Sequence, residues 1–161
     1  MGRGSALARP DAWLCLLGSF LALVAFFLPY YGPSPESMWD ALLHLGLRGN
    51  TLVFVGLGLL LCLLSSTVLQ CWAMLFGPPR WNGLRLYQAF TRWALVCYLI
   101  IVLFTCCSAF FFAYWDGGLN DVTLAGILNL VNIGFWLIPG GLILGLIGGL
   151  LLRRRATKAG G

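Results

Sequence analysis

The chain has 161 residues, 60% of them hydrophobic and 9% charged, with a mean hydropathy of +0.91 and a formal net charge of +5. A soluble domain carries about 25% charged and about 45–50% apolar residues, so a fold of this size has no means of hiding so much apolar surface from water, and lipid is the solvent for most of the chain. The positive charges flank hydrophobic runs instead of forming a basic domain, which points to orientation in a bilayer and away from a nucleic-acid partner.

A membrane-spanning helix needs about 20 apolar residues at about 1.5 Å rise each. The first run of that length is AWLCLLGSFLALVAFFLPYY, residues 12–31. Its apolar core is too long for the h-region of a signal peptide and no A-x-A site follows, so it reads as a permanent anchor. The next stretch, SPESMWDALLHLGLRGN, offers Ser34 as N-cap, Pro35 at the first helical position and acids in the first turns, with Gly46 as a stop. Met38, Leu42 and Leu45 recur at helical spacing, which predicts a short amphipathic helix over about residues 35–45, lying on the outer membrane surface.

The second span is predicted over residues 52–76. After it, GPPRWNGLRLYQAFTRW breaks at Pro78-Pro79 and restarts near Asn82. Arg85 and Arg92 then share one face, with Leu86, Phe90 and Trp93 on another, and together with Arg80 they suit anionic lipid headgroups. The third span is predicted over residues 93–115. Asp121 can cap a fourth apolar run that ends at Arg153, Arg154 and Arg155. Counting back about 20 residues from Arg153 sets the membrane part at 133–152 and leaves Asn129 and Asn132 at the outer interface.

Nine Lys and Arg residues (Arg3, Arg9, Arg80, Arg85, Arg92, Arg153, Arg154, Arg155 and Lys158) fall on one side of these spans and only Arg48 on the other. Under the positive-inside rule both termini are cytoplasmic. The predicted fold is therefore all-α: one integral membrane four-helix bundle over residues 1–161, N-in/C-in, with a short amphipathic surface helix in the first outer loop. The FFLPYYGPS exit of the first span resembles that of small bacterial four-helix membrane proteins. The resemblance implies the bacterial inner membrane and no activity.

The fourth span contains five glycines and Pro139 between Trp136 and Leu152. In a helix interior glycine costs about 1 kcal/mol relative to alanine and proline about 3, so they need a reason. Gly141, Gly145 and Gly149 are spaced i, i+4, i+8 on one face, while Gly148 falls to the side. Lipid tails give helices no hydrophobic reason to pair, and close backbone approach over small residues does that work instead. Gly58, Cys62 and Ser66 form a matching small stripe on the second span. The expectation is that the two stripes pack, within the chain or between chains.

Chemistry is read mostly by exclusion. All six cysteines (Cys15, Cys62, Cys71, Cys97, Cys106, Cys107) lie in predicted spans and no C-x-x-C occurs. Buried cysteine usually behaves as a small hydrophobe. The single histidine, His44, reads as a surface residue, which removes haem ligation by paired histidines. Asp116 and Asp121 read as turn and cap, and no span carries a carboxylate for ion coupling. No phosphate loop, nucleophile elbow or metal motif is present. The expectation is a protein with no cofactor and no catalytic activity, a structural or assembly subunit whose partners are the lipid bilayer and other membrane proteins. The alternative is a small lipid or apolar-solute handling protein.

Overall fold

The computed structural model describes residues 10–30, 37–47, 51–76, 81–115 and 132–159. These form five helices: α1 Pro10–Ala25, α2 Met38–Leu47, α3 Thr51–Phe76, α4 Trp81–Trp115 and α5 Ile133–Ala159. Among the described residues there is no strand, only an isolated antiparallel bridge between Pro29 and Ser37. Segments Thr51–Phe76, Gly83–Cys107 and Ile133–Arg155 are long and apolar enough to cross a membrane, while α1 is a shorter apolar helix. This is a membrane protein by composition and by helix length.

Helix α1 covers residues 12–25 of the first span, expected at residues 12–31, of which Tyr31 lies outside the described residues. It starts at Pro10, whose missing N–H costs nothing in a first turn, and Asp11 follows where a negative charge suits the helix dipole. It ends at Ala25 because Pro29 disfavours helical backbone at the residue before it. The last turns tighten: Phe26, Phe27 and Leu28 donate their N–H groups to Leu23, Val24 and Ala25 at 3.2, 3.0 and 3.2 Å, each three residues back.

Helix α2 starts at Met38, later than the expected residue 35; Ser34 and Pro35 lie outside the described residues. Ser37 is the cap. The Asp40 N–H donates to Ser37 Oγ at 3.1 Å, and Ser37 returns its hydroxyl and backbone N–H to Asp40 Oδ2 at 2.7 and 3.0 Å. The hydroxyl first and the N–H second hold the Asp40 carboxyl below its ordinary pKa. Gly46 is inside the helix, not past its end. Met38 and Leu42 are buried in one core with Phe26, Tyr30 and Leu57, so α2 is seated on the ends of α1 and α3, with Trp39 and Leu43 outward.

Helix α4 contains the whole of the third span expected at residues 93–115. The amphipathic segment expected before residue 93 is continuous with it, giving one helix of 35 residues. Tyr87, Thr91, Ala94 and Tyr98 recur at i, i+4, i+7, i+11 and all are buried. This unbroken stripe carries the helix from the amphipathic segment into the apolar one.

Helix α1 packs mainly on α5 and also on α3, and α4 packs on α3 and α5. The α1–α5 pair is antiparallel: Gly134 meets the α1 end at Ala25, Gly141 meets Gly18 and Ala22, and Gly148 meets Cys15 and Asp11.

Candidate functional site

The seam between α1 and α5 is where the glycines belong. A Cβ built on Gly18 would lie 2.5 Å from both Gly141 O and Gly145 N, and one on Gly141 would lie 2.6 Å from Gly18 O. Backbone touches backbone there, so no side chain fits. The partner of the Gly141–Gly145 face is thus α1, through Gly18, Ala22 and Cys15, and not the Gly58, Cys62, Ser66 stripe of α3. A Cβ on Gly58 would have nothing within 4 Å, Cys62 is exposed, and the Ser66 hydroxyl donates to its own helix at Cys62 O, 2.7 Å away. Gly148, expected beside the interface, is inside it, 2.9 Å from Cys15 N for an added Cβ. Gly149 faces α4 instead, against Tyr87 and Gln88. The face that meets α1 therefore follows i, i+4, i+7 from Gly141, the repeat of two helices crossing at a shallow angle.

At one end of the seam α5 begins on the end of α1. Gly134 N–H donates to Pro29 O at 3.2 Å and Asn132 N–H to Tyr30 O at 3.3 Å. A first helical turn has N–H groups without intrahelical partners and a last turn has carbonyls without them, so the two ends satisfy one another. Gly134 permits it: a Cβ there would lie 2.8 to 3.1 Å from the Pro29, Leu28 and Ala25 oxygens. Asn129 is outside the described residues.

Pro139 has a matching device. A proline in a helix leaves the carbonyl four residues back without its N–H donor, here Phe135 O. The Tyr98 hydroxyl from α4 donates to that oxygen at 2.6 Å, and the Tyr30 hydroxyl donates to Tyr98 Oη at 3.4 Å. Tyr98 is 2% exposed. Neighbouring helices repair proline breaks in this way where no water is at hand.

A second buried polar cluster lies toward the other end. Ser19 Oγ is 3.2 Å from Tyr87 Oη and 3.7 Å from Cys71 Sγ. The Tyr87 hydroxyl donates to Cys15 O at 3.4 Å, Cys15 Sγ–H to Gly145 O at 3.7 Å, and the Gln88 amide to Gly149 O at 3.0 Å. Each polar side chain thus spends itself on another helix. Beyond the cluster, Arg155 Nη1 stands 2.9 Å from Asp11 Oδ2, an ion pair lacking hydrogen-bond alignment. The Asp11 side chain is 5% exposed and that of Arg155 65%, so the charge at risk is the carboxylate.

Of the arginines expected at headgroup level, Arg85, Arg92, Arg153, Arg154 and Arg155 are exposed and Arg80 is outside the described residues. Sequence reasoning missed Asp11, Gly18, Tyr87, Gln88, Gly134 and Tyr98. Only Tyr98 had a usable signal, since Pro139 announces a carbonyl that needs a donor. Among the described residues no group of three His, Cys, Asp or Glu side chains is placed to hold a metal ion. No protein-family model, curated protein or solved structure matches the chain.

Proposed function

We propose that this chain is a non-catalytic integral membrane protein that crosses the bilayer four times as one bundle, with both termini cytoplasmic, and serves as an accessory or assembly subunit of a larger membrane complex. The first crossing rests on α1. Its 16 helical residues and three tightened ones reach roughly 30 Å at about 1.5 and about 2 Å per residue, the thickness of the hydrocarbon layer. It also lies antiparallel along α5, which is itself of span length, so the two occupy the same slab. The nine-to-one distribution of Lys and Arg supports the orientation.

The observation that carries the subunit reading is the open face of α3. Between α1 and α5, small residues bring two backbones into contact. Along α3 a stripe of the same kind, Gly58, Cys62 and Ser66, has an open Gly58 and an exposed Cys62 with no helix among the described residues against them. Lipid needs no such face, whereas a helix from another protein does. The buried polar side chains support the non-catalytic part of the reading, because their bonds join helices and leave no nucleophile, base and orienting group in a row.

Extraction in a mild detergent followed by sizing and mass spectrometry tests the proposal. A subunit migrates with partners, and Gly58→Leu releases it from them while its own melting temperature is kept. A chain that always migrates alone, with or without that substitution, refutes the reading.

A further inference from the structure

Two hydrogen bonds set the depth of α4 against its neighbour α5. The Gln88 amide donates to Gly149 O at 3.0 Å, and the Tyr98 hydroxyl donates to Phe135 O at 2.6 Å. The two helices are therefore antiparallel, and Arg92, between Gln88 and Tyr98, stands about level with the turn from Gly141 to Gly145. Helix α3 gives a similar depth: Gly83 meets Met74, and Cys97 Sγ–H donates to Gly56 O at 3.7 Å, which sets Arg92 beside the middle of α3. From Gly145 to Arg153, where the apolar run ends, α5 climbs roughly 12 Å at about 1.5 Å per residue. The backbone of Arg92 thus lies well inside the hydrocarbon layer, while that of Arg85 is near its edge.

No carboxylate among the described residues takes up this charge. Arg92 is exposed, on a stripe that Val96, Leu99 and Leu103 continue along the outer side of α4. Asp11 stands against Arg155, and Asp40 caps α2 at the opposite end of the bundle. An ionisable side chain at such a depth needs a counter-charge. Trp93, next to it and 65% exposed, shares the depth although tryptophan favours the headgroup level. Two neighbouring residues that belong at headgroup level are thus found below it on the outer side of one helix.

We propose that Arg85, Ala89 and Arg92 form a site for the phosphate of one anionic phospholipid, drawn inward from the arginine-side leaflet along the outer side of α4. The direction of the side chain selects a lipid. A helical side chain leans toward the N-terminus of its own helix, which for α4 is the arginine-rich end, so Arg92 reaches back toward the headgroups instead of deeper. Arg85 precedes it by two turns, roughly 10 Å. Ala89 between them is exposed and carries only a methyl group, which leaves room for a phosphate gripped from both sides. Guanidinium forks take phosphate oxygens in bidentate pairs. The lipid must be anionic, because a zwitterionic headgroup brings its ammonium back to two arginines. The leaflet dips there to meet Arg92 and Trp93, a local thinning of the kind that a charge in the hydrocarbon layer imposes. The inference rests on the bundle crossing the bilayer as proposed above, and not on its having protein partners.

The test uses the wild-type chain in mild detergent, freed of lipid and titrated with phosphatidylglycerol or phosphatidylcholine, with bound lipids counted by native mass spectrometry. The expected result is one phosphatidylglycerol retained well before any phosphatidylcholine. Arg92→Gln should weaken that binding at least about 10-fold, as loss of a charge-assisted pair does. Arg153→Gln, which removes the same charge at the margin, should leave it unchanged. Equal weakening by the two substitutions would overturn the proposal, and so would a wild type with no preference for phosphatidylglycerol; the arginines would then act as diffuse charge. A protein that co-purifies with the wild type but not with Arg92→Gln would also overturn it, by supplying the counter-charge itself. Arg85 is exposed too, and Arg85→Gln repeats the comparison should Arg92→Gln fail to fold. A nitroxide at Ile143, 49% exposed and about level with Arg92, separates this proposal from the bundle reading: it should meet oxygen and not a water-soluble nickel chelate. Contact with the chelate would overturn both readings, whereas a dry Ile143 with no retained lipid would refute the lipid site alone.

Discussion

Tyr98→Phe removes one oxygen from a position that is 2% exposed and leaves the ring in place. The hydroxyl it removes is the donor, at 2.6 Å, to Phe135 O, the carbonyl that Pro139 deprives of its helical partner. A buried carbonyl left unsatisfied costs about 1–3 kcal/mol, and interhelical hydrogen bonds measured in membranes average about 0.6 and reach about 1.7 kcal/mol. The expected loss is therefore roughly 1–2 kcal/mol, which at about 2–4 °C per kcal/mol for a chain of this size lowers the melting temperature by roughly 2–8 °C. The discriminating experiment is a double-mutant cycle followed by thermal unfolding in detergent. Pro139→Ala returns an N–H to position 139, and that group can serve Phe135 O without help from α4. In the Pro139→Ala background Tyr98→Phe should then cost less, by more than the about 0.5 kcal/mol within which independent changes add. An equal loss in both backgrounds would refute the reasoning, because it would show that the Tyr98 hydroxyl matters for something other than the gap left by the proline.

Gly145→Leu should be severe, at least the roughly 1–3 kcal/mol typical of overpacking, because even a Cβ there would lie 2.5 Å from Tyr87 Oη. Gly140→Ala, where a Cβ meets nothing within 4 Å, should be neutral or stabilising by up to about 1 kcal/mol; both are read as melting temperatures, and the reverse order would mean the α1–α5 seam is misassigned. Acid should loosen the α2 cap. The Asp40 carboxyl is held below its ordinary value of 3.8, so its contribution is present above that pH and is lost as pH falls through the lower folded value. Asp40→Asn should abolish that acid-dependent step in hydrogen exchange of the first turn of α2, and an unchanged step would assign it to another group. For topology, single cysteines introduced near Thr157 should resist an impermeant thiol reagent applied outside, in a background without native cysteines, while one near Ser37 should react. Outside labelling of the Thr157 region would reverse the orientation.

Hydropathy and charge alone determined the solvent, the helical class and the helix over residues 52–76 almost to the residue, while the start expected for the fourth helix at Asp121 lies outside the described residues. Those features are local: a run of apolar residues reports its own length and its preference for lipid wherever its neighbours are. They also marked Gly141 and Gly145 as residues that need a close partner, since glycine in a helix is costly without one. Tertiary structure alone decided which partner. Two other helices carried small residues at a suitable spacing, and nothing in a one-dimensional pattern distinguishes Gly18 and Ala22 of α1 from Gly58 and Cys62 of α3. In water an exposed face is polar and can be told from a buried one. In lipid both faces are apolar, so the code that separates inside from outside in soluble helices is missing. The same loss concealed Tyr87 and Tyr98, which are buried and serve Cys15 O and Phe135 O on neighbouring helices. It concealed Asp11 as well, a charge at the margin of an apolar run whose burial depends on Arg155, 144 residues away, arriving at the end of the antiparallel helix.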